Sequence, residues 1–147
     1  MYQRILLPLD GSEVAARAIP HAAALAKAFG ASVTILHVVT AGSAPRRPLP
    51  PDEGADEGDV QRDLEGVKQR LLREGAKDAH WVVTVGEPAE EVIRAAREYG
   101  SDLLVMSTHG RGSAFQWLFG SVASKVLHAV GIPVVLLRSP QAIRPVP

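Results

Sequence analysis

A chain of 147 residues with 46% hydrophobic and 22% charged residues has the size and balance of one soluble globular domain. Sixteen Lys and Arg offset sixteen Asp and Glu, so no basic excess favours nucleic acid, and no apolar run is long enough for a membrane span. The absence of cysteine excludes disulfides, thiolate metal sites and thiol nucleophiles, and suits a cytoplasmic setting.

Arg4–Leu9 reads as a first strand, apolar throughout and so buried on both faces, as in a parallel sheet. Its apolar part is too short for a signal peptide and runs straight into turn chemistry, Asp10-Gly11-Ser12. A first helix follows to about Phe29. Val14, Ala18, Ala22, Leu25 and Phe29 form its inner stripe, Pro20 should bend it, and Gly30 ends it. Ser32–Val39, rich in β-branched residues, is a second strand. From Thr40 to Asp59 the chain is loaded with Pro, Gly, Asp and Glu and reads as a mobile surface loop. Val60, Leu64, Val67 and Leu71 then mark a second helix that closes near Gly75.

His80–Val85 is a third strand. Pro88 opens a third helix, with Glu90 and Glu91 in its first turn, which ends at Tyr99-Gly100. Asp102–Met106 is the fourth strand, Ser121 to about Val130 the fourth helix, and Val134–Leu137 the fifth strand. The tail, 139–147, holds three prolines and should fray. Strand–helix alternation through five units means a single α/β domain with a doubly wound parallel sheet.

The segment between the fourth strand and the fourth helix carries the chemistry. Gly110, Gly112 and Gly120 fall within eleven residues, with Ser107, Ser121 and Arg111 around them. A glycine-rich turn from a strand into a helix N-terminus suits a phosphate, because backbone N–H groups and the helix dipole face the anion. No Gly-Lys-Ser/Thr ends the turn, so it is not a Walker loop, and it follows the fourth strand rather than the first, so it is not a Rossmann fingerprint. Mere turn punctuation is the weaker account of these glycines.

Gly110, nine residues, then Gly120-Ser121, with Met106 and the triplet His109-Gly110-Arg111 beside them, resembles the nucleotide signature G-x2-G-x9-G-[S/T] of the universal stress protein family. One position departs: the first glycine of that signature falls on Ser107, where a positive φ would be strained. The resemblance covers Ile5 to Arg138. It implies a five-stranded parallel sheet in order 3-2-1-4-5 with helices on both faces, the adenine nucleotide alpha hydrolase-like architecture. The switch point then lies between the first and fourth strands, where open α/β sheets bind ligands. The implied ligand is ATP, with Mg2+ held through the phosphates, and the implied assembly is a homodimer through Ile132–Leu137.

The resulting binding set is Pro8, Leu9, Asp10, Val38, Met106, Ser107, His109, Gly110, Arg111, Gly112, Gly120, Ser121 and Val122. Several members carry a plainer alternative. Asp10 either caps the first helix or takes a ribose hydroxyl or a phosphate-bound Mg2+ through water. Val38 is a core residue whose main chain, by resemblance, also meets the adenine edge. Ser121 is an N-cap or a phosphate ligand, Arg111 a solvated charge or a phosphate contact, and His109 structural or near the phosphates. Phe115, Trp117, Leu118 and Phe119 either pack on the fourth helix or meet a partner chain. The five histidines show no metal-ligand spacing, and no nucleophile elbow, paired carboxylates or loop lysine marks a catalytic set. The expected function is therefore an ATP-binding stress-response protein using nucleotide as a ligand switch. The alternatives are a slow ATPase and a nucleotide-free interaction module.

Overall fold

The computed structural model describes residues 1–40, 57–108 and 121–138. The expected frayed tail and most of the glycine-rich segment lie outside these residues, as does 41–56 of the expected loop.

Among the described residues ten elements follow one another: β1 (Arg4–Leu9), α1 (Glu13–Ala16), α2 (Ala18–Phe29), β2 (Ser32–Val39), α3 (Glu57–Arg73), β3 (Asp78–Val85), α4 (Pro88–Glu98), β4 (Leu103–Ser107), α5 (Ser121–Ala129) and β5 (Val134–Leu137). All pairings are parallel and the strand order is β3-β2-β1-β4-β5. The central strands are apolar at consecutive positions because both of their faces are covered. Ile5, Leu7, Val33, Ile35, Leu103 and Val105 face α1, α2 and α3, while Leu6, Leu36, Leu104 and Met106 face α4 and α5. The helices after β1 and β4 thus pack on opposite faces, which makes the gap between those strands the switch point.

The first helical stretch departs from expectation. It does not bend at Pro20; it breaks at Arg17, three residues earlier. Pro20 has no N–H for the Ala16 carbonyl and its ring would strike that group, so the chain starts a new helix in which Pro20 sits in the first turn. Arg17 N–H instead reaches Val14 O at 3.3 Å, a tighter turn. The break resets the helical phase. The buried stripe is Ala15, Ala18, Ile19, Ala22, Ala23 and Ala26, whereas Val14 and Leu25 are only half-buried and Phe29 is exposed, its ring edge-on to Tyr2.

Three boundaries also move. α3 begins at Glu57, so 57–59 are helix rather than loop; Asp59 suits the positive end of the helix dipole. β3 begins at Asp78, two residues early, because its ladder with β2 starts at Ser32–Asp78. β4 spans Leu103–Ser107 rather than Asp102–Met106: Asp102 instead turns its carboxylate to the N–H groups of Gln3 and Arg4, both at 2.9 Å. α4 follows the sequence reading. Pro88 opens it, and Glu87 caps it by accepting from Glu90 N–H at 2.9 Å.

Candidate functional site

The gap at the switch point has a cause in the sequence. Ser32 N–H donates to Gln3 O, and Asp102 N–H donates to Arg4 O. Peptide groups of a parallel strand alternate sides, so odd-numbered residues here face β2 and even-numbered residues face β4. Pro8 is even-numbered, and its missing N–H lies on the β4 side. The β1–β4 register pairs accordingly stop at Leu6–Leu104, while the β1–β2 pairs run on to Leu9–His37. Proline in a central strand is rarely tolerated; here it stands where a ladder ends and a cleft begins.

The end of β1 is held by side chains. His37, opposite Leu9 in β2, donates from Nδ1 to Leu9 O at 3.0 Å. Gly11, at φ +85°, turns the chain in a conformation that a side chain would strain. Asp10 Oδ1 then accepts from Ser12 N–H at 2.9 Å and from Ser12 Oγ at 2.5 Å. Ser12 Oγ in turn accepts from Ala15 N–H at 3.1 Å and is the N-cap of α1. The cap is thus Ser12; Asp10 orients the capping residue and stands at the cleft itself.

Across the cleft, Met106 is buried on the α4–α5 face. Ser107 is the last residue of β4, paired with Leu137, so it is extended backbone rather than part of a glycine-type turn. The strain expected of serine at this position does not arise. Its Oγ is buried without a hydrogen-bond partner among the described residues, as is Oγ1 of Thr108, whose N–H donates to Leu137 O at 2.9 Å. Ser121 heads α5 and is exposed, while Val122 packs on the α4–α5 core. Val38, half-buried near the end of β2, packs against the same core and pairs with Thr84.

The fold therefore gathers Pro8, Leu9, Asp10, Val38, Met106 and Ser107 at the carboxyl ends of adjacent strands. His109, Gly110, Arg111, Gly112 and Gly120 lie outside the described residues. Sequence reasoning passed over His37 and Thr108 as members of the site: His37 lies inside β2, two residues before its end, and Thr108 directly follows β4. The oriented Asp10 carboxylate and a β1 end left unpaired on its β4 side are compatible with an adenine nucleotide. Among the described residues no cluster of three or more His, Asp or Glu side chains could hold a metal by itself. A Mg2+ ion here would depend on phosphates and water, with Asp10 nearby. Of the surface cavities, one lies on the outer face of α4 and another at the opposite, amino-terminal end of β1 and β2.

A family model described as the universal stress protein family matches residues 1–138. Universal stress protein MJ0531 of Methanocaldococcus jannaschii is 34% identical over 96% of this chain and 85% of its own length. Universal stress protein YxiE of Bacillus subtilis is 32% identical over 94% of this chain and all of its own. Among solved structures, hypothetical protein MJ0577 superposes with a TM-score of 0.81 at 26% identity, covering 97% of this chain and 99% of that one. A universal stress protein in complex with cAMP superposes with a TM-score of 0.70, also at 26% identity, covering 93% and 97%.

Proposed function

Because the chain belongs to the universal stress protein family, we propose that it binds ATP at the switch point between β1 and β4 and acts as a nucleotide-switched stress-response protein of the cytoplasm. The observation that carries this reading is the β1–β4 ladder ending at Leu6–Leu104 with Asp10 oriented beside the opening. The relative of known structure in complex with cAMP supports an adenine nucleotide as the ligand class. In this reading Asp10 takes the ribose or a water of the phosphate-bound Mg2+, the Val38 main chain meets the base, and Ser121 with the glycine-rich signature residues takes the phosphates. ATP supplies the charge and the switch signal; the chain supplies orientation.

Calorimetric titration with Mg·ATP tests this. The wild type should bind. Asp10→Ala should weaken binding by about 1–2 kcal/mol, the scale of a lost hydrogen bond to a charged group. Gly120→Val should abolish it, since a branched side chain obstructs backbone approach to the phosphates. Absence of both heat and thermal shift at millimolar Mg·ATP would remove the reading.

The second part of the proposal is a homodimer through β5. Val134–Leu137 pairs with β4 on one side, and among the described residues nothing pairs with the other side. All four residues are apolar and half-buried, and such an edge invites strand pairing. Light scattering should return a dimer at micromolar concentration, and Val135→Lys should shift it toward monomer. A wild-type monomer under those conditions would refute this.

A further inference from the structure

We infer that His37 is a positioning residue that ties together the two halves of the nucleotide site, setting Asp10 through the Leu9 carbonyl while holding the strand end that carries Val38. This role rests on the nucleotide reading above and adds a residue to it. Strand alternation puts His37 on the face of Val33 and Ile35, at the mouth of that core, where it is half-buried. Leu9 O is an acceptor only, so the 3.0 Å contact requires the hydrogen on His37 Nδ1. That carbonyl belongs to the Leu9–Asp10 peptide group, and fixing its plane fixes the direction in which Asp10 leaves the strand. Ser12 restrains the same residue from its side-chain end. His37 is also the residue immediately before Val38. One imidazole therefore couples the carboxylate and the base-facing main chain, across a part of the sheet where β1 has already lost its pairing with β4.

A purely structural histidine would lower stability without acting through Asp10, and the two roles separate in a double-mutant cycle. Mg·ATP affinity is measured for wild type, His37→Leu and His37→Asn, each with Asp10 and with Asp10→Ala. His37→Leu should weaken binding about tenfold, the scale of one hydrogen bond. His37→Asn, whose amide N–H sits where Nδ1–H sat, should stay within about threefold of wild type. In the Asp10→Ala background, His37→Leu should have no further effect. In the ligand-free wild type, nitrogen NMR of the neutral imidazole should show the hydrogen on Nδ1. That signal holds even where a variant fails to fold. An undiminished loss in the Asp10→Ala background, an asparagine variant as weak as the leucine variant, or a hydrogen on Nε2 would each overturn the role while leaving nucleotide binding intact. A wild type that binds no ATP would overturn it together with the reading beneath it.

Discussion

At the scale of single residues, Ser107 shows how a motif position and a strand position can make different demands. The family signature suggests a glycine there because backbone must come close to phosphate. The structure puts the residue in β4, with an extended backbone and a buried hydroxyl that has no partner among the described residues. An unsatisfied buried hydroxyl costs about 1–3 kcal/mol. Ser107→Ala should therefore raise stability by about 1 kcal/mol or more in chemical denaturation. Ser107→Gly should gain less, because glycine in a strand gives back roughly 0.5–1 kcal/mol of chain entropy. ATP affinity should change less than about twofold in either variant. A glycine variant more stable than the alanine variant would show that the position needs a left-handed backbone after all. The same distinction marks what the sequence could reveal about the site. Asp10 and the glycines announce themselves by residue type. The His37–Leu9 contact does not, because it depends on β1 and β2 lying in register, and register is a property of two strands.

At the scale of elements, two prolines act in ways that propensity alone only half discloses. Pro20 was legible as a bend in one helix, but the chain instead breaks three residues earlier, at Arg17, where its clash with the Ala16 carbonyl is relieved. Pro8 was legible as part of a strand, yet its effect on the β4 side appears only once the side faced by each peptide group is known. Pro8→Ala should restore a donor worth about 0.5–1.5 kcal/mol and lose about 0.4–1 kcal/mol of proline rigidity, so stability should barely move. ATP affinity should nevertheless fall about tenfold as the ladder extends into the cleft. Unchanged affinity would mean that the proline does not shape the site. On the other edge of the sheet, α3 is fastened to β3 by Trp81, whose Nε1–H donates to Glu65 Oε2 at 2.7 Å. That bond, followed by the one from Gln69, holds the Glu65 carboxyl below its ordinary range. A carboxyl lowered in the folded state contributes stability that is complete above its unfolded value and is lost as pH falls through the folded one. Trp81→Phe should raise the Glu65 titration midpoint in NMR and flatten the acid limb of the stability curve. An unmoved midpoint would contradict the assignment.

At the scale of the whole molecule, the architecture was the most legible layer. Five apolar strands alternating with helices specify a doubly wound parallel sheet, and the glycine-rich segment after the fourth strand indicates which end of it matters. The strand order came from family likeness rather than from periodicity. The packing supplies its physical consequence: α2 and α5 cover opposite faces, so the chain opens between β1 and β4. The nucleotide part of the proposed function depends on that opening being where the ligand sits. A crystal structure of the protein soaked with Mg·ATP tests this most directly. The account predicts the adenine beside the end of β2, the ribose beside Asp10 and the phosphates directed toward the start of α5. Nucleotide bound at the amino-terminal ends of the strands, or an empty cleft at saturating millimolar ATP, would contradict it.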